Sequence, residues 1–128
     1  ATQAVRLDRN HAEAQLVLAL IYQNMNNFNM AAKHYSRVKK LAPNDPLVAN
    51  AYGTFLCAEK RYAEADSEFK VAASSIMNPS PWVASTNAGL CLESSGQFAL
   101  AKASMRQALQ QNPDYMPAKK GLERLRKR

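Results

Sequence analysis

Two cysteines, Cys57 and Cys91, lie 34 residues apart in this chain of 128. Thiols so placed can close a disulfide if their Cα atoms come within about 7 Å, or pack as two small apolar side chains. A bridge would close a loop of about 35 residues and, in the chain-entropy model, stabilise the fold by roughly 3 to 4 kcal/mol. Spacing alone leaves both readings open. Other residues capable of chemistry are sparse. His11, expected in a loop, and His34, expected on a helix, have no Cys, His or carboxylate at metal-ligand spacing. Glu64, Asp66 and Glu68 look like a set of paired carboxylates, but on a helix this spacing fans them around a polar surface. There is no glycine-rich phosphate loop and no nucleophile elbow. The sequence therefore points away from an enzyme, and no metal or cofactor is expected.

The elements that position the cysteines follow from a grid of small and large side chains repeated at a spacing of about 34 residues. Small residues recur at Ala19, Ala31 and Val38, at Gly53, Ala65 and Ala72, and at Gly89, Ala101 and Ala108. Large ones interleave in register: Tyr22, Leu56 and Leu92 close each first helix, Phe28, Tyr62 and Phe98 follow each turn, and Tyr35, Phe69 and Met105 lie in each second helix. Two antiparallel helices approach closely where both carry small residues, and the bulky ones fill the space between neighbouring pairs. Asp45 before Pro46 and Ser80 before Pro81 offer capping oxygens at helix starts. Pro43, Pro79 and Pro113 end the preceding helices. Helices are expected over 12–25, 28–42, 46–59, 62–76, 81–94, 98–111 and 116–127, with no strand.

The grid resembles the tetratricopeptide repeat (TPR). That resemblance implies an all-α, right-handed superhelix of antiparallel helix pairs: three full repeats over about 12–45, 46–81 and 82–115, with partial flanking helices. Two residues are inserted around 75–81. Ala4, Leu7 and Asp8 match the end of a second helix from an earlier unit, so residues 1–11 are expected to be a partial helix, residues 116–127 an unpaired terminal helix, and both ends cut. No apolar run approaches membrane-spanning length and no signal-peptide pattern is seen, so a soluble piece is expected.

The net charge is +7, but residues 119–128 hold six Lys/Arg against one Glu. The excess is mainly one terminal helix, and nearly all aromatics occupy repeat core positions, which disfavours nucleic acid. Trp82 is either a partly exposed anchor or packed beneath the irregular linker.

More specific strings sit within the repeats. Asn50-Ala51-Tyr52-Gly53-Thr54-Phe55-Leu56-Cys57, the Pro-rich linker over 78–81, Asn87-Ala88-Gly89-Leu90-Cys91, and Gly96-Gln97-Phe98 before Ala99-Leu100-Ala101 resemble the type IV pilus biogenesis and stability lipoproteins of the PilF/PilW family. The match covers roughly residues 12–120. It implies a pilotin at the periplasmic face of the outer membrane of a Gram-negative bacterium, anchored by a lipidated N-terminal cysteine and serving secretin assembly and stability. It also implies that Cys57 and Cys91 are oxidised, since the periplasm favours disulfides. The lipidated cysteine is absent from this chain, as are the further repeats usual in the family, and membrane attachment is expected only through that anchor.

Inner-groove positions of such repeats project Leu16, Val17, Leu20 and Gln23, then Leu47, Asn50, Thr54 and Cys57, then Val83, Thr86, Asn87 and Leu90 toward the concave face. Glu13, Leu16 and Leu47 stand where a carboxylate clamp would need Lys, Arg and Asn. The expected ligand is therefore an apolar or amphipathic segment of another protein, the pilus secretin or another assembly component, with Asn50 and Asn87 supplying hydrogen bonds. The alternatives are a generic TPR adaptor of another complex and an RNA-binding helical repeat using the basic tail.

Overall fold

The computed structural model describes residues 3–128, with side chains from residue 10 onward. Among the described residues the chain forms seven helices and no strand: α1 (Gln3–Asn24), α2 (Phe28–Leu41), α3 (Pro46–Ala58), α4 (Tyr62–Ser74), α5 (Pro81–Ser94), α6 (Phe98–Gln111) and α7 (Met116–Leu125). Helices pair in chain order, α1 with α2, α3 with α4, and α5 with α6, while α7 lies on α6.

The three turns inside the pairs are built alike. Asn26 (φ 59°), Lys60 (φ 63°) and Gly96 (φ 80°) each take the left-handed conformation that ends a helix. The next N–H then reaches back to the large residue closing the first helix: Asn27 to Tyr22, Arg61 to Leu56 and Gln97 to Leu92, each at 2.9 Å. One geometry therefore sets the crossing of all three pairs.

Between pairs the junctions differ. Asp45 caps α3 by accepting from the Leu47 N–H at 2.9 Å, with Pro46 in the first turn. Ser80, expected to do the same for α5, makes no side-chain cap bond. Asn78 organises that linker instead: its Oδ1 accepts from the Ser80 N–H at 2.9 Å and its Nδ2 donates to the Ala72 carbonyl at 2.8 Å. The amide thus satisfies an orphan carbonyl of α4 while steering the inserted residues, and α4 stops at Ser74, short of the expected 76.

One boundary differs more. The expected break before residue 12 does not occur, because neither Gly nor Pro interrupts residues 3–24 and α1 runs through continuously. His11 is consequently an exposed helical residue, not a loop residue. The side chains of Ala4, Leu7 and Asp8 lie outside the described residues.

The core alternates bulky and small fillings. Between α2 and α3 the Tyr35 ring packs on Phe55 and Tyr52, with centroids 4.8 and 5.5 Å apart. Where α3, α4 and α5 meet, the filling is Ala49, Ala72 and Ala84 beside Phe69, Leu56 and Cys91. Gly53 permits this closeness: a Cβ there would sit 2.8 Å from the Phe69 ring. Trp82 is half-buried and packs on the cluster of Ala101, Met105, Ala108, Ala118 and Leu125.

Candidate functional site

Helices α3 and α5, the first helices of consecutive pairs, meet along a seam with two cross-links. Near its start the Asn87 Nδ2 donates to Asn50 Oδ1 at 3.0 Å. Near its end Cys57 and Cys91 are joined in a disulfide, with their Cα atoms 5.9 Å apart. The Asn pair uses one donor and one acceptor, which leaves the Asn50 Nδ2 as a donor and the Asn87 Oδ1 as an acceptor without a side-chain partner in each other. That combination complements the carbonyl and N–H of a polypeptide backbone. Beside it, Thr54, Asn87, Leu90, Ser94 and the disulfide line a cleft of about 210 Å³.

Of the residues expected in the groove, Leu47 (65% exposed), Leu20 and Leu90 are exposed aliphatics, as is Val17, and Thr54 is also exposed. Val83 is half-buried. Gln23 is half-buried too, and its Oε1 accepts from the Tyr35 hydroxyl, whose pKa burial pushes up to about 12. Two expected residues are not offered to a ligand at all. Leu16 is buried with Ala12, Ala19 and Tyr35, because α1 turns that position onto α2. Thr86 is 2% exposed and its Oγ1 has no hydrogen-bond partner. An isosteric Thr86→Val removes this orphaned hydroxyl and is expected to raise unfolding free energy by about 1 to 2 kcal/mol, read from urea melts.

The three carboxylates of α4 are each engaged separately: Glu64 with Arg61 at 2.6 Å, Asp66 with Lys70 at 2.9 Å, and Glu68 with Lys39 of α2 at 2.8 Å. They hold the surface together and do not converge. His34 is buried, its ring stacked on Tyr22 with centroids 5.4 Å apart, its Nδ1–H donating to Gln15 Oε1 at 2.6 Å. Burial lowers its pKa, assisted by Arg37 and Lys33. The folded chain therefore binds this proton less readily than the unfolded chain, and stability falls as pH drops below about 6.5. His34→Asn, which keeps a donor toward Gln15, is expected to flatten the fall in melting temperature between about pH 7.5 and 5.

Two further clefts were not apparent from the sequence. One of about 540 Å³ opens between the second helices α4 and α6, with Tyr62, Asp66, Lys70, Leu100 and Ser104 among its walls. The other, about 570 Å³, joins Leu47 to Met77 and Pro79 of the inserted linker. Exposed Ile76 and Met77 in a Pro-rich insertion were the available signal for the second. The first depends on the splay of α4 from α6.

The sequence profile described as tetratricopeptide repeat matches residues 12–45 and 84–115, about half of the chain. The chain belongs to the tetratricopeptide repeat family. The crystal structure of PilW, a widely conserved type IV pilus biogenesis factor, superposes with a TM-score of 0.83 at 33% identity, covering 95% of this chain and 56% of PilW. Pseudomonas aeruginosa PilF superposes with a TM-score of 0.78 at 25% identity, covering 91% of this chain and 54% of PilF. An uncharacterized protein of Haemophilus influenzae is 30% identical over 73 residues, 57% of this chain and 41% of that protein. The TPR chain thus spans little more than half of PilW and PilF, and less than half of the Haemophilus protein.

The protein is an all-α TPR superhelix, and TPR arrays are protein-interaction scaffolds, in general non-enzymatic. Among the described residues no three His, Cys, Asp or Glu gather as metal ligands, and no helix is long and apolar enough to cross a membrane.

Proposed function

We propose that this TPR array is a scaffold for type IV pilus biogenesis, capturing the secretin or another assembly component at the periplasmic face of the outer membrane and assisting secretin assembly. The observation that carries the reading is the likeness to PilW, 33% identical over 95% of the chain. The α3–α5 seam supplies a physical means. Its cross-links fix Asn50 and Asn87 before a partner arrives, so ordering these groups adds little to the entropy lost on binding. Exposed Leu47 and Leu90 lie one turn from Asn50 and Asn87 and are free for aliphatic contact, as is exposed Leu20 on α1.

The test is capture of secretin fragments by the wild-type chain and by Leu47→Ala with Asn50→Ala. The double variant is expected to weaken capture about tenfold, equivalent to 1.4 kcal/mol. Its melting should move little, because the Asn50–Asn87 hydrogen bond contributes about 1 kcal/mol. Equal capture by both proteins would move the site elsewhere. Absence of secretin or pilus-assembly partners from wild-type pull-downs out of envelope extracts would remove the pilus reading.

A further inference from the structure

A cleft of about 420 Å³ separates α6 from α7. Leu109 and Leu122, both half-buried, form its apolar floor. Lys102 and Arg106 stand one turn apart on the α6 wall, Lys119 and Arg126 on the α7 wall, and Glu123 is the one carboxylate among the lining residues.

Four cations elsewhere in the array are closely paired. Arg124 grips Glu93 through two bonds of 2.7 and 2.6 Å, and Lys39, Arg61 and Lys70 each hold a carboxylate within 2.9 Å. None of the four cations lining the cleft holds a carboxylate that closely. Helix α6 contains no Asp or Glu. Among the described residues Arg106 pairs with no carboxylate, Lys119 lies 3.8 Å from a fully exposed Asp114, and Arg126 lies 3.4 Å from an exposed Glu123. Pairs this long and exposed bring little neutralisation. Lys102 donates at 2.6 Å to the main-chain oxygen of Arg128.

We propose that this cleft binds an acidic segment of a partner protein in which carboxylates alternate with aliphatic side chains. The carboxylates meet the two basic walls, with the guanidinium groups of Arg106 and Arg126 able to engage them in bidentate fashion. The aliphatic side chains cover Leu109 and Leu122. A phosphate polymer fits less well: no aromatic residue lines the cleft for base stacking, Glu123 opposes an unbroken run of negative charge, and the apolar floor has no counterpart in such a ligand. This site shares no residue with the α3–α5 seam and does not depend on the pilus reading.

The test uses fluorescence anisotropy with the whole chain and a labelled peptide alternating Glu and Leu, beside an isosteric peptide alternating Gln and Leu. The Glu peptide is expected to bind, to weaken as salt is raised, and to lose about tenfold in affinity on Arg106→Glu with Arg126→Glu. The Gln peptide should bind about tenfold less tightly than the Glu peptide. Both arginines are exposed, and an unchanged melting curve of the variant establishes that its fold is intact. Leu47→Ala with Asn50→Ala should bind the Glu peptide as the wild type does. Equal affinity for the two peptides, loss of binding in the seam variant, or no binding at all would overturn the proposal. Tighter binding of an RNA oligonucleotide or of phosphatidylglycerol vesicles, lost in the arginine variant, would overturn it in favour of a phosphate ligand.

Discussion

Phe69→Ala is expected to lower the unfolding free energy by about 3 to 5 kcal/mol, toward the upper end of that range. The ring is 2% exposed and sits where three helices meet, against Gly53 and Leu56 of α3, Ala65 of α4 and Cys91 of α5. Its neighbours cannot close the void. Gly53 has no side chain to extend, Ala65 is short, and Cys91 is held by its disulfide, so the cavity persists. Urea denaturation gives the number. A loss below about 2 kcal/mol would mean that α3 and α5 collapse onto α4 and that the spacing between pairs is not set by this ring. Met105, the equivalent residue in the next pair, touches Gly89 and Gly121 through a flexible thioether. A methyl at Gly121, which would meet only that thioether, should accordingly be tolerated better than one at Gly53, whereas at Gly89 it would also meet the Ala101 carbonyl at 3.2 Å.

The second large effect is expected from Cys57→Ser with Cys91→Ser, a loss of roughly 3 to 4 kcal/mol in the chain-entropy account. The bridge spans 34 residues and restricts the unfolded chain more than it adds contacts to the folded one. A thiol reductant added to the wild type should reproduce the shift in melting temperature and leave the serine variant unmoved. No shift in either experiment would show that the seam is held by packing and the Asn50–Asn87 bond alone. Combined with Phe69→Ala, the losses should not add, because Cys91 packs in the same cluster as Phe69.

The pairing of helices was legible because it depends on local facts: small residues at Ala31, Gly53 and Ala101, and proline-marked starts at Pro46 and Pro81. Helix ends that depend on hydrogen bonding were less so. Ser80 had the chemistry of a cap, but Asn78 reaches the Ala72 carbonyl and sets the linker. The break before residue 12 was inferred from repeat register, whereas the backbone there meets nothing that stops a helix. The groove was read from position numbers, which ignore the rotation of each helix. Leu16 and Thr86 therefore turned out buried, while Leu20, Leu47 and Leu90 are exposed. The Asn50–Asn87 pairing and the α4–α6 cleft arise from how one hairpin sits on the next, which no local pattern encodes. Of the α4 carboxylates only Glu68 had no local partner to read in the sequence, since Lys39 belongs to another pair, whereas Arg61 and Lys70 lie within one turn of Glu64 and Asp66.

The Cys57–Cys91 link also bears on how the molecule responds to mechanical load. Tension applied to the two ends of the chain can peel away the outer hairpins, but it cannot lengthen the covalent loop of 34 residues. About 110 to 120 Å of contour length is withheld in that loop until a reductant cuts it. Pulled in an optical trap, the oxidised protein should come to full extension shorter than the reduced one by that amount.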